Sequence, residues 1–282
     1  MTASNEFDVV VLGAGAGGMA AAVVAATEGL KVCLLEKTEH VGGTTAWSGG
    51  MGWAPLSSPA QKSTGFKDTT RDVARYLEGV VPGSQKDPGM AAFLNMVPKA
   101  LDYFERHTLV KFRSLSEYPD YYQELEGSSV SGRVLEPEPF NSAHLGTHLR
   151  DLRLPLPEFA LFSDMMVARE DLSHFQNVFR SIRSFGKVGA LLSRYAYQKI
   201  RWGRGVDLVL GNALAGRLYA SVLEAGITVR MGEEFSNLHR DGFGRVDGVE
   251  LLGGKTISAW QGVVLATGGF TGNLTLREKY LA

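Results

Sequence analysis

The chain has 282 residues, 44% hydrophobic and 21% charged, with a formal net charge of −1. That is ample for a globular core and gives no electrostatic reason to bind nucleic acid. The single cysteine, Cys33, excludes an internal disulfide and any cysteine-based metal site, and its run "KVCLLE" reads as buried strand. Glycine is the outlier at 34 residues, with no repeat to account for them, so they serve particular backbone positions.

Residues 9–27 carry no charge. A signal peptide or membrane helix is nevertheless not expected. Glu6 and Asp8 stand where a basic flank would be, and Gly13, Gly15, Gly17 and Gly18 interrupt the run. The same residues read as strand, turn, helix, turn, strand: Val9–Leu12 as a buried parallel strand, Met19–Glu28 as an alanine-rich helix closed by Gly29, and Lys31–Glu36 as the second strand.

Gly13, Gly15 and Gly18 form G-x-G-x-x-G at the first strand–helix junction. The first glycine permits a tight turn, the second lets backbone approach a pyrophosphate, and the third lets the helix pack on the sheet. Glu36 follows about 20 residues on, where an acid binds a ribose hydroxyl. A tight turn without ligand is the alternative. NAD and FAD both remain open at this point. After Glu36, however, an NAD domain would continue with helix and strand, whereas this chain enters the glycine-dense "KTEHVGGTTAWSGGMGWAP".

All ten prolines fall between Pro55 and Pro157. Val73, Tyr76, Leu77 and Val80 keep the spacing of one helix face. Asp87 and Pro88 read as the cap and first turn of a second helix with Phe93, Leu94, Val97, Leu101 and Phe104 on one stripe, kinked at Pro98. "EYPDYYQELEG" reads as aromatic packing of a proline-rich loop. His144 and His148 are spaced as a metal pair, but Gly146 between them and the missing third ligand argue against a metal site.

Between Asp171 and Asp207 lie seven basic residues and no acidic one. A solvated helix face is the expected reading, with weak contact to an anionic membrane surface as the alternative. Asn212 then reads as the cap of a helix carrying Leu214, Leu218 and Val222 and ended by Gly226. "ITVRM", "EFSNLHR", "RVDGVELL", "KTISA" and "GVVLA" follow as short strands, and the last enters Thr267, Gly268 and Gly269.

"GAGAGG", "LLEK", "VGGTTAWSGGMGW" and "GVVLATGGF" together resemble the flavoprotein family of fumarate reductases and 3-oxosteroid 1-dehydrogenases. "GGTTAWSGG" followed by "W-x-P", together with "EYPDYYQEL", is most similar to the steroid dehydrogenase branch. The resemblance covers essentially the whole chain. It implies an α/β fold, a Rossmann-like FAD-binding domain with a parallel sheet, a small β-meander and an irregular helical insertion. The expected division is 1–110 and 206–282 for the FAD-binding domain, with 111–205 as the loop-rich, helical insertion.

The resemblance also implies site residues. Gly13, Gly15, Gly17, Gly18, Glu36, Lys37, Gly42, Gly43, Thr44, Thr45, Ser48, Gly49 and Gly50 would contact FAD, with Phe235 at the adenine and Ala266, Thr267 and Gly268 at the return of the sheet. Trp47 and Trp53 would cover the flavin or fill core. Covalent-flavin members carry a histidine near the first glycine pair. Here Gly43 and Thr44 stand there and His40 lies earlier, so FAD is expected to be noncovalent. Tyr121, in the "P-D-Y" context, matches a tyrosine that reaches the substrate pocket.

For a complete enzyme the resemblance implies removal of two hydrogens from adjacent carbons of a 3-ketosteroid or similar hydrophobic ketone. A tyrosinate would take a proton and hydride would pass to the flavin, with the external electron acceptor unspecified. The family's catalytic domain and closing C-terminal segment have no counterpart before Ala282, so a fragment is expected. Alkene reduction of the fumarate reductase kind and a noncatalytic FAD-binding fragment are the alternatives. Placement is expected in the cytoplasm, with the basic segment as the candidate for peripheral membrane contact.

Overall fold

The computed structural model describes residues 5–59, 65, 67–270 and 273–281. In chain order the first elements are β1 (Glu6–Leu12), α1 (Ala16–Thr27), β2 (Val32–Glu36), β3 (Gly52–Trp53), α2 (Thr70–Val80), α3 (Pro88–His107), β4 (Phe112–Ser114), β5 (Val134–Pro137) and β6 (Phe140–Asn141). There follow α4 (Leu172–Gln176), α5 (Ile182–Trp202), β7 (Asp207–Leu208), α6 (Leu210–Glu224), β8 (Thr228–Met231), β9 (Phe235–Arg240), β10 (Val246–Leu251), β11 (Thr256–Leu265) and α7 (Leu274–Tyr280). The chain divides into two compact units. One comprises Met1–Ala46, Thr147–Arg153 and Leu218–Ala282; the other comprises Trp47–Gly146 and Leu154–Arg217.

The first unit is built on a six-stranded sheet in the order β8-β2-β1-β11-β10-β9. Its first four strands are parallel, and β10 and β9 join antiparallel as a meander. All five residues of β2 are buried, as an apolar run between two parallel neighbours should be. Phe7, Val10, Leu12, Cys33, Leu35, Val249, Ile257 and Ala259 form one core cluster, while α1 buries Gly18, Met19, Ala22 and Val23. This is the α/β, Rossmann-like arrangement expected.

Two details correct the sequence reading. "KTISA" and "GVVLA" are one ten-residue strand, β11, because both halves pair with β1 across an irregularity in register. The second half is not a buried strand: β10 pairs only with Thr256–Ser258, and Val264 and Leu265 are exposed.

The second unit holds an antiparallel sheet β3-β5-β4, the pair β6-β7 and helices α2 to α5. Thr69 caps α2 through its side chain, and Val73 and Tyr76 are buried as their spacing implies. Asp87 caps α3 with Pro88 in its first turn. That helix runs as one element past Pro98 to His107 and has no fully buried residue, so its apolar stripe is only partly covered. Asn212 does not cap α6. The Ala213 N–H reaches the Val209 carbonyl, which starts the helix earlier and leaves Asn212 buried in its first turn.

Candidate nucleotide site

The site begins where β1 ends. Gly13 has φ +102°, and its N–H donates to the Leu35 carbonyl at 2.7 Å. A β-carbon on it would stand 2.4 Å from the Ala266 oxygen, and one on Gly18 would stand 1.8 Å from the Gly13 oxygen. The chain's own packing therefore requires glycine at both positions. Gly15 and Gly17 differ: a β-carbon on either would meet nothing within 4 Å. They face open space at the start of α1, where Gly15 at the N-cap has no side chain to bond the first turn and that turn holds no acidic residue. Uncapped N–H groups at the positive end of a helix form an anion site.

A second loop lies on this turn. The Gly42 N–H donates to the Ala14 carbonyl at 2.8 Å, a β-carbon on Gly43 would stand 3.2 Å from the Gly15 Cα, and Thr45 Oγ1 accepts from the Ala16 N–H at 3.1 Å. Thr44, between them, is exposed. Buried Glu36 accepts from the Ala14 N–H at 2.9 Å and from the Thr38 N–H and hydroxyl at 3.0 Å each. These bonds fix its carboxylate beside the glycine turn. Next to it a cavity of about 210 Å³ is lined by Leu12, Gly13, Leu35, Glu36, Lys37, Glu233, Glu234, Phe235 and Thr267. The Ala266 N–H donates to the Leu12 carbonyl at 2.9 Å, and Gly268 follows at φ +75°. One unit thus assembles most of the residues expected at the cofactor.

Ser48, Gly49, Gly50 and Tyr121 belong to the second unit. There the glycine at position 50 has an in-chain cause: its φ is +66°, and a β-carbon would stand 2.6 Å from the Gly211 nitrogen. The Gly211 N–H donates to the Ser48 carbonyl at 3.0 Å, and Ser48 Oγ accepts from the Gly50 N–H at 3.0 Å. Trp47 Nε1 donates to the Leu154 carbonyl at 3.1 Å, while Trp53 stacks on Phe93 with centroids 6.2 Å apart.

Tyr121 is 87% exposed and stands at a cavity of about 260 Å³ whose walls include Trp53, Tyr76, Val80, Tyr118 and Tyr122. Behind that wall lies a charge network the sequence reading missed. Buried Arg133 bonds Asp120 at 2.7 Å and Asp68 at 2.9 Å, and Asp120 also accepts from Trp53 Nε1 at 2.7 Å. Burial opposes the charge on Arg133, yet the two carboxylates outweigh it and raise its pKa. Its guanidinium lies 5.6 Å from the Tyr76 ring centroid, and the Tyr76 hydroxyl accepts from the Tyr122 N–H at 3.4 Å. Burial raises the Tyr76 pKa too.

His144 stacks on Phe140, and His148 Nδ1 lies 2.9 Å from an Asp151 oxygen. Among the described residues no group of three His, Cys, Asp or Glu is placed to hold a metal ion.

The sequence signature of the FAD binding domain matches residues 8–281. The chain belongs to that family. It is 37% identical over 276 residues to 4-oxocyclohex-2-ene-1-carboxylate 5-dehydrogenase of Sinomonas cyclohexanicum, covering 97% of this chain and 46% of that one. It is 36% identical over 292 residues to the 3-oxosteroid 1-dehydrogenase of Mycobacterium tuberculosis (strain ATCC 25618 / H37Rv), covering 98% and 49%. The solved 3-ketosteroid delta1-dehydrogenase of Sterolibacterium denitrificans, in complex with 1,4-androstadiene-3,17-dione, superposes with TM-score 0.84 at 31% identity, covering 98% of this chain and 50% of that chain.

The chain therefore spans about half the length of these relatives. Its residues fit the family's cofactor. The open backbone at Gly15 and Gly17 suits a pyrophosphate, and the adjoining cavity with Glu36 and Phe235 suits an adenosine.

Proposed function

We propose that this chain is the FAD-binding portion of an oxidoreductase that removes hydrogen from adjacent carbons of a cyclic ketone, with FAD held noncovalently. The observation that carries the reading is the contrast within the first glycine motif. Gly13 and Gly18 are required by the chain's own packing, whereas Gly15 and Gly17 face space no protein atom fills. In this reading the backbone N–H groups of Gly15 and Gly17 bind the pyrophosphate at the positive end of α1. Glu36 holds a ribose hydroxyl, Phe235 lies along the adenine, and Lys37 and Thr267 close the cavity. The Gly42–Thr45 loop, Ala266 and Gly268 complete the cofactor contacts of this unit.

Bound FAD supplies the acceptor for the hydrogen removed from carbon. Tyr121, at the rim of an aromatic cavity, offers a phenol to the ketone oxygen or to the proton leaving the adjacent carbon. The names of the relatives share a cyclic ketone, monocyclic in one and steroidal in the others, and that shared group is the substrate class proposed.

The test is reconstitution with FAD, followed by anaerobic mixing with a 3-ketosteroid or with an oxocyclohexane carboxylate. Loss of the visible flavin absorption with either ketone supports the reading. Bound flavin that stays oxidised with both defeats the dehydrogenase assignment, and folded protein that takes up no FAD defeats the cofactor assignment as well. Acid precipitation should release the flavin into the supernatant; flavin retained in the pellet would overturn noncovalent binding.

A further inference from the structure

Helix α5 presents an exposed apolar face beside the solvated, charged one that its basic residues suggest. Its buried residues Ser184, Val188 and Gln198 mark the inward side. At 100° per residue, Ile182, Phe185, Tyr197 and Ile200 fall on the opposite side and Leu192 at its edge, and all five are exposed. Ile182 and Ile200 are each 87% exposed. The residues between them on that side, Gly186, Gly189, Ser193 and Ala196, are exposed and uncharged too. Phe179, in the turn before the helix, is nearly fully exposed.

The charges lie at the edges. Lys187 and Lys199 each reach a carboxylate at 3.1 Å, on Asp171 and Asp164, and Arg194 pairs with Asp207. Arg180, Arg183 and Arg201 make no ion pair among the described residues, and Arg201 lies 5.6 Å from the Trp202 ring centroid. No acidic residue occurs from Leu172 to Val206.

We infer that this face of α5 docks on an anionic lipid surface, lying in the interface with its apolar side down and Arg180, Arg183 and Arg201 among the headgroups. Three observations favour lipid over a protein partner. The apolar side chains recur along about 27 Å of helix with small residues between them, a long shallow strip. The helix itself carries no acid, and Arg180, Arg183 and Arg201 make no ion pair among the described residues, so the charge left over along the strip is positive and complements a negative surface. Tyr197, 59% exposed, stands near the C-terminal end of this side, and amphipathic aromatics favour a membrane interface. The surface is independent of the nucleotide site, so binding is read without flavin or ketone.

The experiment is flotation of the purified chain with phosphatidylcholine vesicles, with and without phosphatidylglycerol. The chain should float with the anionic vesicles and not with the neutral ones, and binding should fall as salt rises. R180Q/R183Q/R201Q should weaken binding about a hundredfold, at roughly fivefold per basic side chain near the surface. I182N/I200N should abolish it while leaving the melting temperature unchanged, since both side chains point outward. Three results would overturn the inference. They are no flotation of the intact chain, flotation unchanged in either variant, or a dimer in sedimentation velocity that I182N/I200N dissociates, which would make a second copy the occupant.

Discussion

Gly18 lies so close to Gly13 that a β-carbon on it would stand 1.8 Å from the Gly13 carbonyl oxygen, whereas one on Gly15 would meet no atom within 4 Å. The two positions of one motif therefore separate folding from binding. Gly18→Ala should cost about 3 kcal/mol or more, because backbone cannot yield as a side chain does. Gly15→Ala should stay within about 1 kcal/mol of the parent, the usual scale of a helix N-cap change, yet lower FAD affinity at least about tenfold, since backbone can no longer approach the pyrophosphate. Thermal melting of the FAD-free protein, with fluorescence titration by FAD, checks both. Unchanged affinity in Gly15→Ala would remove the ligand from this turn.

Gly50 tests the other half of the glycine-rich loop. Its left-handed backbone and the Gly211 nitrogen 2.6 Å from a would-be β-carbon make it a packing glycine. Gly50→Ala should lower stability by about 1–3 kcal/mol through strain and overpacking. The loss should be equal with and without FAD in denaturant titrations. A loss seen only with FAD would assign the position to the ligand instead.

These contrasts show what was legible in the sequence. β1, α1 and β2 could be read because buried parallel strands are continuous apolar runs and a strand–turn–helix junction needs glycine at fixed offsets. Glu36 could be read from its spacing. The reason for glycine at position 50 could not, since it depends on Gly211, far along the chain. Asp68, Asp120 and Arg133 were invisible for the same cause: three charged residues far apart in sequence carry no periodicity, and only folding brings them together. The apolar outward face of α5 was also hidden, because which side of a helix is left uncovered depends on what packs against it, and the run of basic residues, three of them paired with Asp171, Asp207 and Asp164, reads only as a charged helix.

The Arg133 network has a definite energetic signature. Arg133→Met leaves Asp68 and Asp120 buried without their countercharge, and breaking a buried pair in this way costs about 3–5 kcal/mol. Adding Asp68→Asn and Asp120→Asn to Arg133→Met should recover part of that loss, because the buried negative charge then goes. Urea unfolding followed by tryptophan fluorescence reads both. A triple variant no more stable than Arg133→Met would show that the carboxylates are not the source of the cost.

Glu36 supports the glycine turn from the end of β2. Its carboxylate accepts from two backbone N–H groups, of Ala14 and Thr38. Glu36→Gln keeps an oxygen for one of them and presents an amide donor to the other. Hydrogen bonds to charged groups contribute about 1.5–3 kcal/mol, so stability should fall by about that amount. FAD affinity should fall in addition, because Ala14 sits within the turn. Calorimetric titration separates the two effects, and wild-type affinity in a folded Glu36→Gln protein would exclude the carboxylate from the ribose.

Cys33 gives a pH-dependent test of the first unit alone. Burial pushes its thiol from an ordinary 9.0 up to about 12, with Arg230 lowering and Glu233 raising it to lesser degrees. Below pH 9 the folded and unfolded chains both keep the proton, so the thiol contributes no pH dependence. Between pH 9 and 12 the unfolded chain releases a proton that the folded chain retains, and stability falls through that window. Cys33→Ala should flatten this part of the stability–pH curve. At neutral pH the native thiol should resist aromatic disulfide reagents until denaturant is added, because the thiolate is the reacting species. Rapid labelling of folded protein at neutral pH would show that β2 is accessible rather than enclosed between β1 and β8.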